Sequence, residues 1–328
     1  MLRRRLSALA VLLTLWGPLH AQPATPARRL LTQDRFTLIA PFPPGGPVDT
    51  LARILAEGLA RRYAQPAVVE NLAGGAGNIG MDRVRRARAD GHTLLVIPAG
   101  NLTINPTLMS NFPFNVERDF TPITMLAKTP NVLVAHPGGK FKTLAQMVAQ
   151  ARREPGMLAY ASPGVGSGLH LAGELFKAQA GVDILHVPYK GTGPALNDVL
   201  GGTLPLMFSN LPATLPHIRS GKLLALGVAD NARTPVAPDI PTLAEQGIAG
   251  VVVTSWYGLL APAGTSPEVA EELAGAARDI LAQPVVREQL KAQGLSESPM
   301  KPAEFAAHIR GETASWARII KSRGITAD

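Results

Sequence analysis

A short apolar segment, a Pro/Gly turn and an amphipathic helix follow one another twice in this chain, and this unit most constrains its fold. The first copy covers residues 36–58, with the turn Pro-Phe-Pro-Pro-Gly-Gly at 41–46. The second copy covers residues 157–180, with Ser-Pro-Gly-Val-Gly-Ser-Gly at 162–168. Such a turn leaves unpaired backbone N–H groups at the start of a helix, where carboxylates and phosphates bind well. The two copies therefore predict a cleft that holds an anion from both sides.

The first 21 residues have the order of a secretory signal peptide: arginines at 3–5, an apolar run at 6–16 and the small residue Ala21. The apolar run has 11 residues, whereas a helix that crosses a bilayer needs about 20. We predict cleavage near Ala21 and export to the periplasm, with a membrane anchor or an unstructured N-terminus as the alternatives. The absence of cysteine suits a soluble periplasmic protein, because disulfides are permitted there but not obligatory.

Alternating short apolar segments and helical patterns continue through the chain, which indicates an α/β fold built on parallel strands. Apolar residues recur at helical spacing in the helix predicted at 48–63. Residues 98–118 contain much Asn, Pro and Thr and predict a loop with short helical turns. Later in the chain, the pattern predicts a short helix at 216–220, which begins at a proline.

The predicted mature chain is too long for one core, so two domains are expected. Two extended segments, 121–136 and 251–261, are the best candidates for crossings between them. The first domain would comprise residues 33–135 and 254–328, including the C-terminal helices. The second domain would be inserted between these two parts, at residues 136–253.

Charge gives little support for a nucleic-acid partner. Removal of the three signal arginines lowers the net charge of the chain from +8 to +5. The remaining arginines are dispersed along predicted helices, and few aromatic residues lie among them. This pattern is typical of solvated helix faces rather than of a nucleic-acid site. A mild positive field would still attract anions.

The glycine-rich turns also raise the possibility of a nucleotide site or a hydrolase. Residues 75–80 match G-x-G-x-x-G between a strand and a helix, but the acidic residue expected about 20 residues later is missing. We therefore favour a tight turn that presents Asn78 to the cleft over NAD binding. The second turn does not match that fingerprint, because Leu169 occupies the sixth position. The residues around Ser167 also do not form the G-x-S-x-G elbow of hydrolases.

The histidines do not predict a metal centre. Those of the predicted mature chain show no spacing typical of metal ligands and stand at positions 92, 136, 170, 186, 217 and 308. His170 and Glu174 lie four residues apart, which is ordinary on a helix surface. We predict no metal, no cofactor and no catalytic residue. His170 stays a candidate for ligand contact because it follows the second Pro/Gly turn directly.

Three further polar residues lie where strands meet turns or helices. Asp49 falls at the start of the first helix, where a carboxylate satisfies free N–H groups and the helix dipole, and direct ligand contact is the alternative. Tyr189 follows a predicted strand and could either pack in the core or line the cleft. Ser209 ends another strand at the same expected edge. Ligands of open α/β sheets bind outside this carboxyl edge.

Seven sequence blocks, spread over essentially the whole predicted mature chain, together resemble one protein family. They are PFPPGGPVD at 41–49, ENLAGGAGNIG at 70–80, DGHTLL at 90–95, YASPGVGSGLH at 160–170, HVPYKG at 186–191, PTLAEQG at 241–247 and WYGLLAPAGT at 256–265. In this order they resemble the receptors of tripartite tricarboxylate transporters, the Bug or TctC-like solute-binding proteins. Each block is weak alone, but the set is specific.

The resemblance implies an α/β, two-domain periplasmic-binding-protein fold of type II, with two crossover segments, that closes on its ligand. It also implies a non-enzymatic receptor that passes a small carboxylate to membrane permease subunits. Members of this family hold the carboxylate between two strand–turn–helix units, largely through backbone N–H groups and water. At the matching positions, this implies the ligand-binding residues Phe42, Gly45, Gly46, Asn78, Ser162, Gly166, Ser167, His170 and Tyr189.

Ser209 departs from the pattern of this family, because many relatives have an acidic residue at this position. A serine cannot pair as a charge with a ligand ammonium group. We therefore expect a di- or tricarboxylate, or an aromatic acid, rather than an amino acid, and we expect a monomeric protein. A sensor subunit for a membrane kinase and a secreted enzyme on a similar fold are the alternatives.

Overall fold

A computed structural model describes residue 31 and residues 35–326 of the chain. The predicted signal peptide, residues 1–21, lies outside the described residues. Within the described part of the chain, no helix is both long and apolar enough to cross a membrane.

The described residues alternate between strands and helices. The strands are β1 (Phe36–Ala40), β2 (Ala67–Asn71), β3 (Thr93–Pro98), β4 (Phe120–Thr129), β5 (Asn131–Ala135), β6 (Ala159–Ser162), β7 (Leu185–Pro188), β8 (Leu206–Asn210), β9 (Leu224–Val228), β10 (Ser255–Pro262) and β11 (Ser296–Glu297). The α-helices are α1 (Pro47–Tyr63), α2 (Asn78–Arg85), α3 (Ala99–Thr103), α4 (Asn105–Leu108), α5 (Val116–Asp119), α6 (Leu144–Arg153), α7 (Gly168–Ala180), α8 (Thr192–Leu200), α9 (Leu211–Arg219), α10 (Pro267–Leu281), α11 (Pro284–Ala292) and α12 (Pro302–Arg323).

The strands form two separate mixed sheets. The six-stranded sheet has the order β11-β4-β10-β3-β1-β2, and the five-stranded sheet has the order β7-β6-β8-β5-β9. In the first sheet β1 runs parallel to β2 and β3, and in the second β6 runs parallel to β7 and β8. Strands β1 and β6 each lead into a Pro/Gly turn, and a helix follows each turn. Each turn therefore lies at the carboxyl edge of its own sheet.

The chain passes between the two sheets twice. The first crossing is Pro130, which separates β4 from β5, and the return runs from β9 to β10 through residues 229–254. Strand β5 pairs with β8 and β9, whereas the sequence placed residues 131–135 in the first domain. Only Pro130 separates β4 from β5, so the sequence alone predicts one extended segment. The pairing partners of the two strands show that they belong to different sheets. The limits of the two domains stay a prediction.

Helix α9 differs in extent from the helix predicted at 216–220. It begins at Leu211, with a proline in its first turn, and Pro216 lies inside it. From sequence, Pro216 is predicted to be the first helical residue, a position that proline favours. A proline inside a helix removes one backbone hydrogen bond, but the buried side chains of Leu211 and Thr214 hold this helix against its sheet.

Helix α1 packs on the first sheet through an apolar face. Leu51, Leu55 and Leu59 are buried in the core cluster of this sheet together with Ile280 of α10. Gly58 allows the close approach of these two helices, since a Cβ atom there would lie 2.5 Å from Ile280 Cγ1. The N-terminus of α1, and with it the first Pro/Gly turn, is therefore fixed by packing of the rest of the helix.

The C-terminal helix α12 joins both cores. Its Trp316 and Ile320 belong to the buried apolar cluster of the second sheet, together with Ile104 and Leu108 from the first part of the chain. The side chain of Glu312, also on α12, accepts a hydrogen bond from Trp256 Nε1 at 2.8 Å. Helices α10 and α12 contact β4 of the first sheet, and the end of α12 also contacts the second core.

Asn131 ties the two crossings together. Its side chain is fully buried, and its Nδ2 donates to the backbone oxygen of Val253 at 2.7 Å. Its Oδ1 accepts from Asn210 Nδ2 at 2.8 Å and from Ser255 Oγ at 3.0 Å. This side chain, on the outgoing segment, thus bonds to the end of β8 and to the returning segment, so it links the two crossings.

We expect Asn131→Ala to lower the free energy of unfolding by about 2–3 kcal/mol, because partly buried groups lose their partners. Urea unfolding followed by circular dichroism would measure this loss. Asn197→Ala, on the exposed face of α8, is the matched control and should change stability by less than about 0.5 kcal/mol. Equal effects of the two substitutions would contradict the role of Asn131.

Candidate functional site

The first Pro/Gly turn connects β1 to α1 and is held by Asp49. The carboxylate Oδ2 accepts from the backbone N–H of Gly45 at 3.1 Å and from Arg53 Nε at 2.9 Å. The Oδ1 accepts from Asn71 Nδ2 at 3.0 Å. Burial alone would raise the pKa of Asp49, but these hydrogen bonds outweigh it and lower the pKa below its usual value. Both oxygens thus bond to protein groups, which favours the structural interpretation of Asp49 over ligand contact.

No described side chain caps the N-terminus of α1. Its N-cap residue is Gly46, with extended backbone angles, and Pro47 follows in the first turn. Gly45 has φ +91°, a conformation that glycine adopts readily. A Cβ atom on either glycine would meet nothing within 4 Å, so this face of the turn is open. The first free N–H groups of a 17-residue helix therefore lie beside an open surface.

Phe42 and Asn78 extend this surface toward the next turn. The backbone oxygen of Phe42 accepts from Asn71 Nδ2 at 3.2 Å. A Cβ atom on Gly77 would lie 3.4 Å from Phe42 Cζ, so the ring covers the glycine-rich turn before α2. Asn78 is the first residue of α2, and its buried Oδ1 has no hydrogen-bond partner among the described residues. The tight turn predicted here is present, whereas contact of Asn78 with a ligand stays a prediction.

A third strand–helix junction, between β3 and α3, contacts the glycine-rich turn before α2. Strand β3 leads directly into α3, whose Asn101 Nδ2 donates to the backbone oxygen of Ala76 at 2.7 Å. From sequence, residues 98–118 predict a loop with short helical turns and no site residue. The many Asn residues of this segment were the available signal, but their positions depend on contacts with the glycine-rich turn.

The second Pro/Gly turn is internally bonded and caps its own helix. Ser167 is the N-cap of α7, and its Oγ accepts from the N–H of His170 at 3.1 Å and donates to the oxygen of Gly164 at 2.7 Å. Ser162 is fully buried, and its Oγ accepts from the N–H of Gly164 at 3.2 Å. Gly166 has φ +76°. These bonds fix the path of the turn before any ligand arrives.

Two stacked imidazoles lie beneath this turn. The rings of His170 and His186 are 4.1 Å apart at an angle of 18°. The Nδ1 of His170 accepts from the N–H of Gly166 at 3.4 Å, which places the proton of the neutral ring on Nε2. The Nε2 of His186 lies 2.7 Å from Ser162 Oγ. His170 therefore bonds to Gly166 from the core side of the turn, and His186 contacts Ser162. His186 is not among the site residues predicted from sequence.

Burial keeps both histidines neutral. Desolvation, followed by the charge of Lys177, lowers the pKa of His170 to about 4. Desolvation also lowers the pKa of His186 to about 4, with a contribution from the neighbouring His170. Glu174 lies on the same helix and accepts from Tyr160 at 2.9 Å and from Lys177 at 3.2 Å. At neutral pH the imidazoles thus add no positive charge to the turn.

Tyr189 lies beside the second turn. Its N–H donates to the oxygen of Ser162 at 3.0 Å, and its hydroxyl donates to Asp198 of α8. The hydrogen bond to Asp198, followed by partial desolvation, raises the pKa of the half-buried Tyr189. A Cβ atom on Gly164 would lie 3.1 Å from the backbone oxygen of Tyr189. Tyr189 is half-buried and packs against an apolar cluster of the second sheet, while its backbone borders the turn.

Ser209 is less well placed for ligand contact. It lies in β8 and is fully buried, and its Oγ donates to the backbone oxygen of Asn210 at 3.3 Å. The other predicted residues therefore form two groups. Phe42, Gly45, Gly46, Asp49 and Asn78 lie at the edge of the first sheet, whereas Ser162, Gly166, Ser167, His170 and Tyr189 lie at the edge of the second.

The two edges meet at one corner. Gly100 of α3 lies against the backbone oxygen of Gly166, which a Cβ atom on residue 100 would approach to 2.6 Å. The carboxyl edges of the two sheets therefore come into contact at this corner. Among the described residues, no group of three or more His, Cys, Asp or Glu side chains could hold a metal ion. The two turns offer hydrogen bonding, mainly by backbone N–H groups.

Several known proteins are similar to this chain. Protein BugT of Bordetella pertussis is 38% identical over 288 residues, which cover 88% of each chain. Rpa4515 of R. palustris, solved with adipate, is 33% identical with a TM-score of 0.83, covering 89% of this chain and 98% of that one. MatC of Rhodopseudomonas palustris, solved with bound malate, is 32% identical with a TM-score of 0.79, covering 87% of this chain and 99% of that one.

Solved structures of a periplasmic transporter and of periplasmic binding protein BugD also match, and together these similarities confirm the prediction of an α/β, two-domain periplasmic-binding-protein fold. The two sheets are mixed rather than purely parallel, because β10 and β5 pair antiparallel with their neighbours. Residues 51–325 also match the family described as "Tripartite tricarboxylate transporter family receptor". The matched region begins within α1, after the first Pro/Gly turn, and includes the glycine-rich turn before α2 and the whole of the second Pro/Gly turn. The chain therefore belongs to the tripartite tricarboxylate transporter receptor family, the Bug or TctC-like solute-binding proteins.

Proposed function

We propose that this chain is the periplasmic receptor of a tripartite tricarboxylate-type transporter and binds a small carboxylate between its two Pro/Gly turns. The observation that carries the proposal is the uncapped N-terminus of α1, which opens on the cleft beside Gly45 and Gly46. The receptor would act as a monomer, exported by a cleaved signal peptide, and pass its ligand to permease subunits. Binding would require no catalysis and no cofactor.

Backbone groups are sufficient for useful affinity. A dissociation constant of 1 μM corresponds to about 8 kcal/mol. Hydrogen bonds to a charged group contribute roughly 1.5–3 kcal/mol each, so about four to six N–H groups would suffice before the costs of closure. The candidate donors are the free first N–H groups of α1 and α7. No buried arginine is needed.

The cleft also favours a ligand without an ammonium group. Asp49 is the acidic residue of the first turn, and its carboxylate is neutralised by Arg53 and bonded to two further donors. At the second turn the two imidazoles are neutral and Ser209 carries no charge. A di- or tricarboxylate or an aromatic acid therefore fits better than an amino acid. The adipate and malate seen in two relatives belong to the first of these classes.

A panel of carboxylates tests the proposal. We expect at least one of adipate, malate, citrate, benzoate and nicotinate to bind in isothermal titration calorimetry. At 100 times its dissociation constant, the ligand should stabilise the protein by about 2.7 kcal/mol and raise its melting temperature. Glycine and arginine, which carry ammonium groups, serve as controls and should bind much more weakly. Absence of heat with all five acids would contradict carboxylate binding.

A charge at Gly46 should separate folding from binding. An aspartate there has room and the extended backbone of an N-cap, so it should bond to the free N–H groups of α1. We expect Gly46→Asp to stabilise the protein by a few tenths of a kcal/mol and to weaken carboxylate binding by about tenfold or more, through repulsion and loss of donors.

The control for this variant is Gly311→Asp on α12, which adds the same charge at another open glycine. Its affinity for the ligand should equal that of the natural chain. Titration calorimetry and thermal unfolding of both variants decide the outcome. Undiminished affinity of Gly46→Asp would show that α1 does not hold the carboxylate.

Acid should destabilise the second turn. In the folded protein the pKa of His170 is about 4, whereas an exposed histidine titrates near 6.5. The unfolded chain therefore binds more protons between these values, and stability should fall as the pH drops from about 6.5 to about 4, by up to about 3 kcal/mol for His170. Above about pH 6.5 this contribution should be constant. Urea unfolding at several pH values would measure it.

The variant His170→Gln should flatten this part of the pH profile, because the buried titrating ring is gone. His217→Gln, on α9 and outside the stacked pair, is the matched control and should leave the profile close to that of the natural chain. A profile unchanged by His170→Gln would mean that other groups cause the acid sensitivity.

A further inference from the structure

One corner of the cleft is packed so closely that only glycine fits on the first side. Gly100 is the second residue of α3, and a Cβ atom there would lie 2.6 Å from the backbone oxygen of Gly166. Real Cβ atoms essentially never approach an atom so closely. The group that they would meet is backbone, so it cannot turn aside as a long side chain can. The first and second parts of the chain are therefore in direct backbone contact here.

Two side chains of the first part complete this contact. A Cβ atom on Gly166 would collide with Asn105 Oδ1 and lie 3.5 Å from Leu108 Cδ2. Asn105 is only 4% exposed and Leu108 only 6%. The Oδ1 of Asn105 has no hydrogen-bond partner among the described residues. A buried amide oxygen is costly to leave unpaired, so its position against Gly166 suggests a role other than stability.

The contact meets the second turn at Gly166, whose position affects both the turn and the helix after it. Gly166 has φ +76°, and its N–H donates to His170 Nδ1. The next residue, Ser167, is the N-cap of α7. A displacement of Gly166 would therefore change both the direction of the turn and the start of the helix that follows it.

We infer that Gly100, Asn105 and Leu108 form a latch, which holds Gly166 and the second turn in their binding geometry when the cleft is closed. Gly100 and Asn105 are then positioning residues that act through Gly166 without contact to the ligand. The effect of the latch on affinity rests on the proposed function, whereas the contact itself does not. A receptor with a disabled latch should favour open forms and release its ligand faster.

Gly100→Ala is a sharp test because the latch and the helix predict opposite effects. Gly100 lies in α3 and outside the left-handed region, so alanine there should favour the helix. The closed contact with Gly166, however, would be blocked by the added methyl group. We expect the ligand-free protein to keep or raise its melting temperature. Affinity for adipate or malate should fall by about tenfold or more, with faster dissociation.

Gly311→Ala is the matched control, since it is also a helical glycine and has no neighbouring atom within 4 Å of the added carbon. It should leave affinity and dissociation rate unchanged. Asn105→Ala adds no atoms and provides a second variant should Gly100→Ala fold poorly; it should weaken affinity about threefold or more. Natural affinity in both latch variants would overturn the inference.

A measurement without ligand separates the latch from the proposed function. The chain has no cysteine, so spin labels can be placed at Glu288→Cys on α11 and Arg153→Cys on α6, both exposed. Pulsed electron–electron double resonance should give longer and more broadly distributed distances between the two labels when Gly100→Ala is added. Gly311→Ala should leave these distances unchanged. Identical distributions in all forms would overturn the latch. Failure of every carboxylate to bind would instead reject the proposed function.

Discussion

The site depends on how the carboxylate of Asp49 is engaged. From the first turn of α1, a free carboxylate would compete with any anion for the N–H groups of the helix. Here Arg53 and Asn71 hold this carboxylate, and it bonds back to the N–H of Gly45. The same interaction shapes the Pro/Gly turn and leaves the end of the helix open. The proposed anion site is thus built without a free positive side chain.

The second turn follows a different design. Ser167 caps α7, and Ser162 bonds within the turn, so its geometry is set by internal hydrogen bonds. Two neutral imidazoles support it from the core, where burial excludes water and disfavours their charged forms. The first turn is therefore open and the second is prearranged. Asn131 connects the two sheets that carry them, so both turns keep a defined relation through one buried amide.

Much of this arrangement could be predicted from local pattern. Helix α6 and the long C-terminal helix follow directly from apolar spacing and from their capping residues. The predicted start of α9 is wrong, because a proline is usually found in the first turn of a helix. Only the tertiary structure shows that Pro216 lies inside this helix. His186 was not selected as a site residue because nothing near it in sequence indicates that it stacks on His170. That contact joins a strand to a helix across the second sheet.

The sequence by itself determined the units: two strand–turn–helix segments, their glycines and prolines, and a family pattern that runs in order along the chain. These properties depend on neighbours a few residues apart, so local stereochemistry is enough to specify them. Only the tertiary structure decided that Asp49 is bonded internally, that Ser209 is buried and that Gly100 meets Gly166. Those contacts join residues far apart in the chain, and their geometry is set by the packing of both sheets together.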